Sequence, residues 1–244
     1  MTIVIGTAGW SIPRDVADSF PVEGSALQRY AAVFQGAEIN SSFHRPHRLS
    51  TWRRWAETVP ADFRFSVKIP KTISHQKKLV DCGEELDRFL AEAAELGEKL
   101  AVLLLQLPPS FAFAESLAER FFADLASRTP AALACEPRHP SWFEPGPDAL
   151  LAGLKVTRVA ADPAIVPAAA EPGGWRGLAY WRLHGSPVKY RSSYEGERLE
   201  AYGAALRASN APERWCIFDN TASSAAGRDA LALQGLPAPF GKPD

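Results

Sequence analysis

A chain of 244 residues, 46% hydrophobic and 23% charged with a formal net charge of -1, has the balance of an ordinary globular protein. Such a length suits two small domains or one barrel of about 250 residues. The near-neutral charge excludes a bulk-charge nucleic-acid binder, though not a local basic patch, and no apolar stretch approaches the ~20 residues of a membrane span.

The start, Met1-Thr2-Ile3-Val4-Ile5-Gly6, runs directly into a strand and lacks the basic region of a signal peptide. Cys82, Cys135 and Cys216 are dispersed and show no paired metal-ligand spacing, so a reducing, cytoplasmic setting is expected.

Taken in order, residues 3–7 read as a strand and 25–34 as a helix with Leu27, Tyr30, Ala31 and Phe34 on one face. A strand is expected at 37–43 and a helix at 50–58, with Ser50 as its N-cap. Residues 63–68 alternate with a period of two, Phe63, Phe65 and Val67 against Arg64, Ser66 and Lys68. An amphipathic helix at 84–97 precedes an almost wholly apolar strand at 100–107, as expected of a strand covered on both faces. A helix at 114–127, a strand at 131–135, a short helix at 147–153 and a strand at 155–161 follow. Residues 162–175 show no helical face and read as a loop, a candidate lid or the replacement for a missing helix. Then come a strand at 178–183, a helix at 197–207, a strand at 214–218 and a helix at 225–233, before a proline-rich tail at 235–244. Strands alternating with helices in this way predict a parallel α/β architecture. A single (β/α)8 TIM-like barrel spanning 1–244 fits the count and length, with an open doubly wound sheet as the alternative.

The strands end in polar residues: Thr7, Glu38 with Asn40, Lys68, Gln106, Glu136, Asp162, Arg182 with His184, and Asp219 with Asn220. Lys68 is out of phase with Phe65 and Val67, Gln106 with Leu103 and Leu105, and Arg182 and His184 with Trp181 and Leu183. One face is thus apolar towards the helices, while the other turns polar only at the C-terminal end, where barrels carry their chemistry. A structural barrel fills that space more cheaply with leucine, so the set as a whole predicts a ligand site, although any one member also fits a self-satisfying ion pair.

Lys68, Arg138, Arg182 and His184 supply positive charge there, joined from the loops by His75, Lys71, Lys189 and Arg191, which points to a phosphate or carboxylate. Trp10, Phe43, Trp142 and Tyr190 are candidate stacking aromatics, with His139 beside them. Glu136 and Asp162 are the candidate base or metal carboxylates, and His184 the candidate acid-base group. A divalent metal held by Glu136, Asp162 and His184 is an open alternative without a recognisable ligand motif.

These segments also resemble one family. Gly6-Thr7-Ala8-Gly9-Trp10-Ser11, Glu38-Ile39-Asn40-Ser41-Ser42-Phe43, Phe65-Ser66-Val67-Lys68 and Ser74-His75 match it, as do Leu105-Gln106-Leu107-Pro108-Pro109 and Glu136-Pro137-Arg138-His139-Pro140-Ser141-Trp142. Arg182-Leu183-His184-Gly185 and Phe218-Asp219-Asn220-Thr221 complete the likeness to the domain-of-unknown-function 72, or YecE-like, family. The resemblance implies a TIM barrel and names no activity. His44, Ser74 and Asp229 depart from the family's usual aromatic, threonine and asparagine, and the loop at 11–21 is short.

Together these features predict an enzyme of hydrolase or lyase type acting on an anionic substrate at the barrel mouth, nucleic acid included. Lys68, Arg138 and Arg182 would clamp the anion, while Asn40, Gln106 and Asn220 orient it. A non-catalytic nucleic-acid or nucleotide-binding module is the alternative, and a polar plug that merely closes the barrel is the third reading.

Overall fold

In the computed structural model, which describes residues 2–235, strand and helix alternate except between β6 and β9, where no α-helix intervenes. β1 (Thr2–Thr7) leads to α1 (Ala26–Ala31), β2 (Gly36–Ile39), α2 (Leu49–Thr58), β3 (Arg64–Lys68) and α3 (Gly83–Ala93). β4 (Leu100–Gln106), α4 (Glu115–Arg128), β5 (Ala132–Glu136) and α5 (Pro145–Gly153) follow. The remainder is β6 (Val156–Arg158), β7 (Ala160–Asp162), β8 (Gly173–Gly174), β9 (Leu178–Leu183), α6 (Glu197–Ala208), β10 (Glu213–Phe218) and α7 (Ala225–Gln234). Of the expected proline-rich tail, all but Gly235 lies outside the described residues.

β2 to β6 pair in sequence order, all parallel, and β1, β10, β9 and β7 form a second parallel set. Two seams relate them. At the first, Ala8 and Glu38 form an isolated parallel bridge, and Gly9 N–H donates to Glu38 C=O at 2.8 Å. Here β1 and β2 run so close that a Cβ on Gly6 would lie 2.2 Å from Gly36 O, which leaves room only for glycine. At the second seam the strand expected at 155–161 divides at Val159: β6 pairs with β5, and β7 with β9. The result is a TIM-barrel-like α/β fold.

Other expectations shift in detail. Ser50 lies inside α2, whose N-cap is Arg48 with no side-chain cap, while Ser25 caps α1 through a reciprocal pair with Gln28 (2.8 and 3.3 Å). The helix expected at 84–97 ends at Ala93 and continues as a 3-10 segment, Ala94–Lys99, with Gly97 at φ 57°.

The segment 162–175 is bound to the barrel wall. It holds a 3-10 turn, Pro167–Ala170, and β8, which pairs antiparallel with β6. Arg158 donates to Asp148 Oδ1 at 2.9 Å and to Ala168 C=O at 2.8 Å, and the same Asp148 oxygen accepts Gly174 N–H at 2.9 Å. The segment therefore stands in for the missing helix between β7 and β9, and its ties to β6 and α5 do not suit a lid.

Strand parity divides the interior. Phe65, Val67, Leu103, Leu105, Leu133, Cys135, Trp181, Leu183, Cys216 and Phe218 join one buried cluster with the helices. Val4, Val102, Leu104, Ala134, Tyr180, Trp215 and Ile217 point the other way and fill the inside of the barrel. Each large side chain so buried contributes about 1.5–3 kcal/mol, which offsets the cost of the polar layer above it.

Candidate active site

Above the inner apolar layer, at the C-terminal ends of the strands, Arg182 is wholly buried and engages three carboxylates. Its Nε and Nη2 donate to the two Glu38 oxygens at 2.9 and 2.8 Å, Nη1 to Glu136 Oε2 at 2.5 Å, and Nη2 also to Asp219 Oδ2 at 3.0 Å. The planar fork suits this bidentate geometry where a lysine would not. Tyr180, one pleat below Arg182 on β9, donates to Glu38 Oε2 at 3.2 Å and contacts Ser66 Oγ at 2.9 Å.

His184 bridges two of the same acids. Nδ1 lies 2.9 Å from Asp219 Oδ2 and Nε2 lies 3.1 Å from Glu136 Oε1. A carboxylate only accepts, so each ring nitrogen that carries a proton has an acceptor in place. Burial pushes the Glu136 carboxyl up, but Arg182, Arg138 and His184 together hold it well below the usual carboxylate range. Asp219 is lowered in the same way, burial being outweighed by Arg182 and His184.

The upper rim is cationic. Arg138 Nε donates to Glu136 Oε1 at 2.9 Å, and its two outer nitrogens lie 3.4 Å from the Tyr190 hydroxyl. Tyr190 sits at φ 66° in a loop folded back on β9, where its backbone N–H donates to His184 C=O and its ring meets the imidazole edge-on at 5.6 Å. Lys68 differs from the other charges. It is 5% exposed, its Nζ lies 4.1 Å from the Phe43 ring centroid, and among the described residues no carboxylate pairs with it. Burial, and next the Arg182 guanidinium, bring its ammonium down to about 8 against the pull of Glu38, Glu136 and Asp219.

Of the residues singled out from the sequence, Glu38, Lys68, Glu136, Arg138, Arg182, His184, Asp219 and Tyr190 are thus brought together. Gln106, in register with Glu136, is buried at the same level, and Asn40 shares the inward parity of Glu38, its Oδ1 buried without a partner among the described residues. His75 flanks the group, its ring 5.0 Å from Phe43 and its Nδ1 2.9 Å from Ser74 Oγ. Its own value is lowered by burial and by Lys68 and Arg138.

Six others lie elsewhere. Asp162 shares the parity of Val156 and Ala160, faces the helices, and pairs with Arg198 and with the Tyr202 hydroxyl (2.8 Å). Catalysis by Asp162, and a metal site built from Glu136, Asp162 and His184, are therefore not supported. Among the described residues no group of three or more His, Cys, Asp or Glu is placed to hold a metal ion. Thr7 turns outward to Tyr30 (3.1 Å) and its own turn at Gly9 (2.6 Å). Trp10 packs edge-on against Trp55 and Phe65, and Trp142 is wholly buried with its indole N–H on Phe111 C=O at 2.9 Å. His139 caps its own turn through Ser141 (2.9 Å), and Asn220 ties Ser192 C=O (3.0 Å) to Asp229 (2.6 Å).

Ser66 and Tyr180 belong to the cluster and were missed. Both lie on the inward row, in phase with Lys68 and Arg182 respectively, so parity alone had the signal.

The family described as "Protein of unknown function DUF72" matches residues 4–239. The chain is 33% identical over 146 residues to UPF0759 protein YecE of Escherichia coli K12, covering 59% of this chain and 51% of YecE. It is 28% identical over 151 residues to UPF0759 protein YunF of Bacillus subtilis 168, covering 59% and 53%. These matches span about half the length of either relative. Among solved structures, a DUF72 protein from Thermotoga maritima superposes with a TM-score of 0.76 at 24% identity, covering 96% of this chain and 98% of that one. One from Enterococcus faecalis V583 gives 0.78 at 20%, covering 96% and 94%. A xylose isomerase-like TIM barrel/4-hydroxyphenylpyruvate dioxygenase fusion protein shares the fold at 0.54 and 13%, covering 96% of this chain and 42% of the fusion. On the match across residues 4–239, the chain belongs to the DUF72 family.

Proposed function

We propose that the barrel mouth binds a substrate bearing a phosphate or carboxylate and carries out hydrolase- or lyase-type chemistry on it. The observation that carries this reading is Lys68, a buried ammonium with no paired carboxylate among the described residues, beside acids already engaged by Arg182. Burying an unpaired charge is costly unless a ligand completes it. Arg138 and Lys189 add positive potential on the same side, so Lys68 and Arg138 are the anion clamps. Arg182, by contrast, is consumed by Glu38, Glu136 and Asp219 and organises the site from beneath. Glu136 and His184, hydrogen-bonded to each other, form the proton-transfer pair, with Asp219 orienting the imidazole.

A polar plug that only closes the barrel accounts for the Arg182 ion pairs, which satisfy one another, but gives no reason for Lys68. A nucleic-acid module is weakened by the burial of Trp142 in the wall and by the packing of the partly buried Trp10 against Trp55 and Phe65.

The test is thermal shift with separate panels of inorganic phosphate, phosphorylated and carboxylated metabolites, and oligonucleotides. Small anions are expected to raise the melting temperature of the wild type and not of Lys68→Met. Stabilisation by oligonucleotides alone, with a steep salt dependence, would favour the binding module. No stabilisation by any panel would leave the plug.

A further inference from the structure

Lys68 holds more than an anion clamp needs. Clamping lysines sit well at a wet rim, where the ammonium stays hydrated until the anion arrives. Here the side chain is drawn inside, 5% exposed, with its Nζ against the Phe43 ring. Ser42 Oγ donates to Lys68 C=O at 2.7 Å and lies 3.0 Å from Ile39 C=O, which fixes the turn carrying Asn40 and Phe43 over the end of β3. Among the described residues no donor meets the buried Oδ1 of Asn40. A lone amine on a dry aromatic face and a vacant acceptor on the same turn match a substrate with a carbonyl and a hydroxyl.

We propose that Lys68 forms an imine with a carbonyl compound that also carries a phosphate or carboxylate, such as a phosphorylated ketose or a 2-oxo acid. The inference rests on the anion-site reading above and narrows its substrate class. In the step, the Nζ lone pair bonds to the carbonyl carbon and the C=O π pair moves to oxygen. The oxygen then leaves as water with the two protons lost from nitrogen, so that ammonium plus carbonyl gives protonated imine plus water. The cationic imine then accepts an electron pair from an adjacent C–C or C–H bond, the role an amine plays in covalent lyase chemistry.

Burial and the Arg182 guanidinium favour the free amine this step needs, against the opposing pull of Glu38, Glu136 and Asp219. Glu38 on β2, Glu136 at the end of β5, Arg182 on β9 and Asp219 after β10 act on it, and His75 beyond β3 feels both Lys68 and Arg138. With its ammonium brought down to about 8, on the order of a tenth or more of the amine is free near pH 7.4, against about a thousandth for an ordinary lysine.

The experiment pairs dihydroxyacetone phosphate with glycerol 3-phosphate, and pyruvate with lactate, on the wild-type protein. Each is incubated with cyanoborohydride, and adducts are mapped by peptide mass spectrometry, with the remaining lysines as internal controls. The expected result is reductive alkylation at Lys68 at least tenfold faster than at any other lysine, for the carbonyl members only. Its rate should rise with pH to half-maximum near 8. Thermal shift is read on the same samples. Stabilisation by both members of a pair without selective labelling overturns the imine and leaves the anion site standing. Selective labelling without stabilisation by glycerol 3-phosphate or lactate supports the imine and removes the anion site. Neither effect removes both. Site-resolved labelling needs no variant, so a Lys68→Met protein that fails to fold changes none of these outcomes.

Discussion

Arg182 and Glu38 stand 144 positions apart in the chain and meet in two parallel N–H···O bonds of 2.9 and 2.8 Å, both side chains fully buried. The pair ties β9 to β2 across the interior, on opposite sides of the first seam. Removing one member of such a pair strands the other. Arg182→Met leaves Glu38, Glu136 and Asp219 without their shared counter-ion and is expected to cost about 3–5 kcal/mol, read as a lower urea midpoint. Glu38→Gln/Arg182→Met should recover part of that loss, because one of the stranded charges is gone. A single variant with an unaltered midpoint would show that the pair holds nothing together.

Lys68 predicts the opposite sign. Its native value lies below that of an unfolded lysine, so the native state disfavours the ammonium. The penalty is fully present below about 8 and disappears as pH rises through the unfolded value near 10.5. Lys68→Met is therefore expected to stabilise the fold at pH 7 by about 1–3 kcal/mol, the upper end reduced by the lost contact with Phe43. The gain should vanish by about pH 11. A gain in stability together with a loss of anion binding is the signature of a functional charge held at a structural cost. Loss of both would make Lys68 a structural residue.

Acid should act on the site through Glu136 and Asp219. Both native values are depressed, so their contribution is present above the ordinary carboxylate range and is lost as pH falls through the native values. The melting temperature is expected to hold down to about pH 5 and to fall steeply below about pH 4. Glu136→Gln should start lower at neutral pH and lose much of that slope. An identical slope in the variant would place the acid sensitivity elsewhere in the molecule.

Period-two patterning made most of this legible in advance. The phase of Lys68 against Phe65 and Val67, and of Arg182 and His184 against Trp181 and Leu183, placed these three on the inner face, as observed. The same test applied to Asp162 assigns it to the row of Val156 and Ala160, facing outward; grouping residues by nearness to the strand end overrode it. Aromatics were harder. Trp10 and Trp142 have the composition of a stacking rim, but large flat side chains bury more area by packing in the wall, and nothing local separates the two uses. Arg182's fourfold engagement was also hidden, since partners from β2, β5 and β10 meet only in three dimensions. The split at Val159 has no one-dimensional trace either, because both halves keep extended backbone and apolar character.

Asp229 carries a last prediction. This α7 carboxylate is 1% exposed and accepts from Ser193 Oγ, Tyr194 N–H (2.9 Å) and Asn220 Nδ2 (2.6 Å). Asn220 in turn donates to Ser192 C=O at 3.0 Å. These contacts anchor the far end of the loop that brings Tyr190 and Lys189 to the mouth, on the side of Arg138. Asp229→Ala leaves a backbone N–H and an amide without their acceptor, at a cost of about 1–3 kcal/mol. Faster amide hydrogen exchange is expected at residues 186–194 while β4 and β5 stay protected, together with a several-fold weaker response to phosphate. Exchange that quickens across α7 and β10 but not in the loop would mean that the carboxylate serves the helix packing, and Tyr190 would then owe its position to the His184 carbonyl that its backbone already meets.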